Sequence, residues 1–334
     1  MDKALVAGVC LTIATACPLS SMNAAPVAAK PSAETLRVQV LLDRLGFAPG
    51  VIDGHQGASL VGALKGFQQA RGLPQTGKPD AATLKALAAG GDVAGVVDVT
   101  LAQQDFAGPF VGPIPKDAAA QAKLPAMGYA DAMEGLAERF HTTKPTLIAL
   151  NSADTKIAPG VKIKVPNVLP AATAYPETLK PDWRATLAQL SVSSDQPKAA
   201  KIVVDKSDKL LRVYDDQDKL VAQFPATMGS THDPLPIGKW KIQGTSTLPA
   251  FHYNPKLFWD AKATDQKQTL KSGPNGPVGV VWMDLDKPHY GIHGTASPET
   301  IGRSESHGCI RLSNWDAARL SLMVKPGTPA VFQP

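Results

Sequence analysis

From Lys198 to Pro334 turn residues cut the chain into short apolar alternations, so only short strands can form there. Ile202 and Val204, then Leu211 and Val213, alternate with polar residues. Ser207-Asp208-Lys209 and Asp215-Asp216-Gln217-Asp218 read as turns. Further strands are expected over 220–227, 238–243, 278–285, 290–293 and 330–332. Strands this short predict a mainly-β, sandwich or barrel-like core. One helix is expected, over 317–324, behind a capping box made by Ser313 and Asp316. Beside it Asn314 reads as a structural hydrogen-bonder. Residues 245–277, rich in Pro, Gly, Lys and aromatics, read as a loop insertion able to cover a site. His232, His252 and Asp265 have no clear partner and read as surface or loop residues.

Upstream the pattern changes period. Leu36, Val40, Leu41 and Leu45 recur at helical spacing, and Gly46 stops that helix. Ser59 is placed to cap a second helix carrying Leu60, Leu64 and Phe67. Asp80 is placed to cap a third carrying Leu84 and Leu87. Residues 91–122, broken by Gly and Pro, and residues 169–197, broken by Pro170, Pro176, Pro181 and Pro197, read as linkers, the first with a short strand near Val96, Val99 and Leu101. Between them, Met133, Leu136 and Phe140 share a helical face, Leu147 and Leu150 lie on a second helix, and Val161, Ile163 and Val165 alternate as a strand. The first 29 residues read as a secretory signal: Lys3, an apolar run from Ala4 to Ala16 too short to span a bilayer, then small residues around Ala24, Ala25 and Val27-Ala28-Ala29. Cys17 is a candidate lipid-anchoring site. Export to the periplasm or cell envelope follows as the expectation.

The net charge of +5 is mildly basic, and no Lys/Arg run interleaved with aromatics points to nucleic acid. Cleavage after Ala29 removes Cys10 and Cys17 and leaves one thiol, Cys309, unable to form an internal disulfide. It lies in Ser306-His307-Gly308-Cys309-Ile310-Arg311, with Ile292-His293-Gly294-Thr295 just upstream. A thiol nucleophile needs a base and backbone donors for the developing oxyanion. His293 and His307 offer the base; Gly308 lets the chain turn and present N–H groups. The residues alone leave open a small buried Cys, or a zinc site completed by His289.

These residues resemble the L,D-transpeptidase catalytic domain of bacterial cell-wall enzymes: His-Gly-Thr, a spacer, then Ser-His-Gly-Cys-Ile-Arg and a following Asn, with Pro236-Ile237-Gly238 matching a family turn. Residues 30–90, through Leu45-Gly46-Phe47, Val51-Ile52-Asp53-Gly54 and Lys65-Gly66-Phe67-Gln68, resemble the three-helix peptidoglycan-binding domain. Residues 123–168 are similar to the small α+β LysM domain, with Gly128-Tyr129-Ala130-Asp131 in place of its Gly-Asp-Thr opening, so glycan binding and a spacer role both stand. The resemblance implies a signal peptide (1–29), a peptidoglycan-binding domain (30–90), a linker (91–122), a LysM-like module (123–168), a linker (169–197) and a catalytic domain (198–334).

For the site it implies Cys309 as nucleophile and His293 as general base and acid, its tautomer set by the Gly294 carbonyl. His307 is the rival or supporting base. The N–H groups of Gly308 and Cys309 are the oxyanion donors, and Arg311, Ser306 and Thr295 face substrate, Thr295 and Ser306 also orienting the loops. A base beside Cys309 is expected to depress the thiol pKa, giving reactivity near neutral pH. No metal or cofactor is implied. The substrates are peptidoglycan stem peptides and glycan, the product a 3→3 cross-link. An outer-membrane lipoprotein is an alternative acceptor, and water would make the chain a carboxypeptidase or amidase. An inactive wall-binding protein is the non-enzymatic alternative.

Overall fold

The computed structural model describes residues 30–91 and 93–334. The expected signal segment and Cys17 lie outside them. Among the described residues no helix is long and apolar enough to cross a membrane.

Three helices open the described chain. In α1 (Ala33–Arg44) the Ser32 hydroxyl accepts from Thr35 N–H at 3.3 Å. The second, α2 (Ala58–Ala70), has no side-chain cap: the extended backbone of Gly57 starts it, so Ser59 falls inside the first turn instead of capping it. Asp80 caps α3 (Ala81–Leu87), accepting from Thr83 N–H at 2.9 Å. Leu60, Leu64 and Phe67 are buried, and the Phe47 ring meets Phe67 edge-on at 5.7 Å.

The next region departs from the expected linker. β1 (Val96–Thr100) pairs antiparallel with β2 (Lys162–Pro166), Val96 opposite Pro166 and Thr100 opposite Lys162. Between them run α4 (Ala118–Gln121), α5 (Ala132–Arg139) and α6 (Lys144–Leu150). The unit therefore starts within 91–122, because its first strand finds its partner more than sixty residues later. Asn151 pins α6 to β2, donating to the Leu147 and Lys164 carbonyls at 2.8 Å and accepting from Lys164 N–H at 2.7 Å. Leu101, Leu136, Phe140, Leu147, Ile163 and Val165 share one core. The second expected linker also holds structure: α7 (Pro181–Gln189) buries Trp183 and Leu187 against the main core. Pro181, read as a breaker, stands in the first turn, where its missing N–H costs nothing.

The rest is mostly strand: β3 (Lys201–Asp205), β4 (Leu210–Tyr214), β5 (Leu220–Pro225), β6 (Thr227–Met228), β7 (Gly238–Thr247), β8 (Phe251–Tyr253), β9 (Gln268–Leu270), β10 (Val281–Leu285), β11 (Gly291–His293), β12 (Ile310–Arg311) and, after α8 (Asn314–Met323), β13 (Pro329–Gln333). Nine of them form one sheet in the order β5-β4-β3-β13-β7-β10-β11-β12-β6. The two outermost, β5 and β6, are consecutive in the chain and joined by Ala226 alone. So short a link brings the edges round towards each other, and the sheet is nearly barrel-like. The insertion at 245–277 is not all loop, since β8 and β9 pair within it as a hairpin.

Residues from three regions meet at α8. Asp43 of α1 takes two bonds from the Arg319 guanidinium, at 3.0 and 2.7 Å. His141, just past α5, faces Asp43 with Nδ1 at 3.0 Å and the Leu190 carbonyl with Nε2 at 2.7 Å, and stacks on Trp315 at 4.9 Å. All are buried.

Candidate active site

β11 and β12 run parallel, with Ile292 opposite Ile310 and His293 opposite Arg311. Both isoleucines are fully buried and mark the core side. Strand side chains alternate, so His293 and Arg311 share the opposite face. On β10, Trp282 stands opposite His293 and Asp284 opposite Gly291. Two rows follow: Trp282, His293 and Arg311 in one, Asp284 and Gly291 in the next. Cys309 immediately precedes β12 and lies beside Gly291, whose backbone hydrogen-bonds its sulfur.

His293 is 4% exposed, and its ring stacks on Trp282 at 5.4 Å with planes 19° apart. Its Nδ1 is 2.7 Å from the Gly294 carbonyl oxygen. A carbonyl only accepts, so Nδ1 carries the proton and Nε2 is left as the acceptor. Gly291 is required beside it: a Cβ there would come within 2.4 Å of the Trp282 indole.

The loop ahead of the thiol is held from below. Ser306 is buried; its hydroxyl donates to the Cys309 carbonyl and accepts from Gly229 N–H, each at 2.6 Å. Of the two roles expected of it, facing substrate and orienting the loop, its hydroxyl is engaged in the second. Gly308 turns the chain with φ +93°, and a Cβ there would meet the Tyr290 ring at 2.7 Å. The backbone from His307 to Cys309 is therefore not extended, and the two side chains do not share a strand face. Instead His307 Nε2 is 3.0 Å from Asp260 Oδ1, and its ring meets Phe258 edge-on at 5.0 Å, both in the insertion. Thr295 accepts from Ser297 N–H at 3.3 Å and shapes the following turn. Arg311 donates to the Glu305 carbonyl at 3.2 Å.

The electrostatics run against an imidazolium–thiolate pair. Burial pushes the Cys309 thiol up; the Gly291 backbone bond and the Arg311 charge only partly oppose this, and Asp233 and Asp284 add to it. Burial and the Arg311 charge lower His293 to about 4, against the Gly294 bond. The resting site holds a neutral thiol and a neutral imidazole. The expected depression of the thiol pKa gives way to desolvation.

Several contributors were not singled out from sequence. Trp282 and Asp284 sat inside a run read as buried strand, although their alternation with Val281, Met283 and Leu285 marks a second face. Asp233 and Tyr290 had no motif. Neither His232 nor Asp265 is unpartnered: His232 stacks on Trp259 at 4.1 Å, and Asp265 accepts from the Tyr253 hydroxyl at 2.9 Å. His289 meets the thiol through its backbone carbonyl at 3.7 Å. Among the described residues no three of His, Cys, Asp or Glu converge to hold a metal ion.

Residues 199–332 match the L,D-transpeptidase catalytic domain family, and residues 31–87 match a putative peptidoglycan binding domain. The chain is 26% identical over 206 residues to the putative L,D-transpeptidase YkuD of Bacillus licheniformis, covering 61% of this chain and 94% of that protein. A 55-residue stretch is 51% identical to the putative L,D-transpeptidase YkuD of Bacillus subtilis, 16% of this chain and 34% of that one. Among solved structures, an L,D-transpeptidase from Mycobacterium smegmatis is similar at 23% identity, covering 40% of this chain and 58% of that one, with a TM-score of 0.33. The chain thus carries an L,D-transpeptidase catalytic domain behind a peptidoglycan-binding domain.

Proposed function

We propose that the chain is a peptidoglycan L,D-transpeptidase working through a Cys309 thioester. The observation that carries this reading is the parallel pairing of β11 with β12. It sets His293 and Arg311 on one face beside Cys309, with the acceptor nitrogen of His293 free.

Because thiol and imidazole are both neutral at rest, the proton moves as the bond forms. His293 Nε2 takes the Cys309 proton while sulfur attacks the carbonyl between diaminopimelate and D-Ala of a tetrapeptide stem. The Gly308 and Cys309 N–H groups hold the oxyanion. The C–N bond then breaks, and the imidazolium returns its proton to the leaving D-Ala amine. In the second half an acceptor amine attacks the thioester and His293 takes its proton. The C–S bond breaks, and sulfur recovers a proton from His293. A stem-peptide amine gives the 3→3 cross-link. Arg311 supplies a fixed positive charge beside the reacting sulfur, suited to a substrate carboxylate. Residues 31–87 dock the wall.

Cys309→Ala should lose the covalent adduct with a carbapenem in intact-mass spectra while keeping its fold. An adduct on the variant would remove Cys309 from the role. With purified muropeptides, a cross-linked dimer is expected; release of D-Ala with tripeptide alone would mean water is the acceptor. Iodoacetamide alkylation of Cys309 should rise only towards and above pH 9, since burial raises the thiol. His293→Gln should cut acylation by roughly 10²–10⁴-fold, the usual range for a general base. It should move the alkylation midpoint little, because no imidazolium holds the thiolate at rest.

A further inference from the structure

We propose that Glu138, which belongs to the middle region and not to the catalytic domain, is a positioning residue for His293, acting through Asn314 and Gly294. The Gly294 carbonyl fixes the His293 tautomer at 2.7 Å. A Cβ on Gly294 would fall 2.1 Å from Asn314 Oδ1, and one on Gly279 would fall 1.9 Å from the same atom. The Asn314 amide therefore lies directly on two bare Cα atoms behind the catalytic histidine. Its oxygen accepts from Val280 N–H at 3.1 Å, tying that contact to the start of β10.

The amide can hold this place only if its nitrogen is held too. Asn314 is fully buried, and its Nδ2 has two acceptors, Glu138 Oε1 at 2.7 Å and the Pro274 carbonyl at 3.0 Å. Both depend on the middle region. Glu138 stands on α5. The segment around Pro274 is pinned to that region by Asn275, which donates to the Gly128 carbonyl at 3.1 Å and to Glu134 at 3.2 Å, and by Met127 N–H to the Ser272 carbonyl at 3.1 Å. A Cβ on Gly273 would come 2.2 Å from the Met127 carbonyl oxygen, so the two segments are in direct backbone contact. The region expected to bind glycan or act as a spacer thus forms the back wall of the active site. The titratable groups that act on Glu138 are Tyr129 and Glu134.

The inference rests on Cys309 and His293 being the reacting pair, and the test separates the two. The full chain is followed for carbapenem acylation of Cys309 across pH, per folded molecule. Glu138→Met keeps the volume and removes the acceptor; Glu138→Gln keeps an acceptor oxygen. Because misplacement of a catalytic group by about 1 Å is worth up to 10²-fold, Glu138→Met should slow acylation roughly tenfold or more. Its acidic limb should move to lower pH, since the Gly294 bond that supports His293 basicity loosens. Glu138→Gln should restore the wild-type rate and profile. A folded Glu138→Met variant with wild-type rate and profile overturns the proposal, as does a Gln variant as slow as the Met variant. Should Glu138→Met not fold, Glu138→Asp, one methylene short of Asn314, takes its place with the same expected drop and the same overturning result. If the wild-type chain itself is not acylated at Cys309, it is the assignment of the reacting pair that fails.

Discussion

Two buried carboxylates reach α8 from outside the catalytic domain, and they are treated in opposite ways. Asp43, from α1, meets the Arg319 guanidinium in a two-bond fork. Despite complete burial, the Arg319 and His141 neighbours hold its carboxyl well below the usual carboxylate range. Glu138, from α5, meets the Tyr129 hydroxyl and the amide of Asn314 at the start of the same helix, with no cation beside it. There desolvation prevails and pushes it up to about 7, against the hydrogen bonds from Tyr129 and Asn314. Burial alone disfavours the charged form; a cation in register reverses the outcome and an amide does not. One contact is therefore an ionised weld between the N-terminal helices and the sheet. The other is a softer contact whose charge changes near neutrality, and it lies next to the reacting groups.

The largest effect should come from removing the cation. Arg319→Met would leave Asp43 buried and uncompensated apart from His141, and losing one partner of a buried pair typically costs about 3–5 kcal/mol. Denaturant unfolding should show that loss, and adding Asp43→Leu should recover much of it. If the single variant loses under about 1 kcal/mol, the charges are not what joins these regions. Asp43 also sets a pH sign. Its folded pKa is depressed, so its contribution is present above the unfolded value and is lost as pH falls through the folded one.

Glu138 should show the opposite sign and a smaller size. Its folded pKa lies above the unfolded one, so its stabilising contribution is complete below pH 4.5 and is lost as pH rises through about 7. Wild-type stability from this group should decline across that window by about 3 kcal/mol, since each pH unit separating the folded and unfolded values corresponds to about 1.4 kcal/mol. Glu138→Gln, which cannot ionise, should flatten the decline. Urea midpoints measured at half-unit steps of pH would show it, and an unchanged slope would mean that the carboxyl does not titrate there.

This contrast also marks how far the sequence could be read. The short strands, the Cys309 segment and the helices at 33–87 are written in local patterns: alternation of two, spacing of three and four, capping residues. A mainly-β fold with a helical N-terminal domain followed from those. What stayed hidden needs partners distant in sequence. The strand near Val96 and Val99 is legible by itself, but its partner at 162–166 is not, and Trp183 and Leu187 become core only against the sheet. Asp43, His141 and Arg319 look like surface charges until the fold brings them together. The site divides the same way. Cys309 and His293 stand in compact motifs, whereas Glu138 and Asp260 reach the site from segments with no motif. The direction in which the thiol pKa moves was illegible because it depends on burial, which a motif does not encode.

A third carboxylate extends the series to its weakest member. Asp260 faces His307 at 3.0 Å, but its side chain is 50% exposed and that of His307 is 28% exposed. Water screens such a pair, and exposed ion pairs are typically worth about 0.2–1 kcal/mol. Asp260→Asn should therefore leave global stability nearly unchanged. What it touches is the seat of the insertion, where the neighbouring Phe258 and Trp259 rings also meet His307. If the insertion guides bulky substrates, carbapenem acylation should fall a few-fold, in line with a contact of that size. Iodoacetamide, which is small, should alkylate Cys309 as fast as in the wild type. Equal slowing of both reagents would mean that the pair supports the thiol itself. No slowing of either would leave the Phe258 and Trp259 ring contacts to hold the insertion without the ion pair.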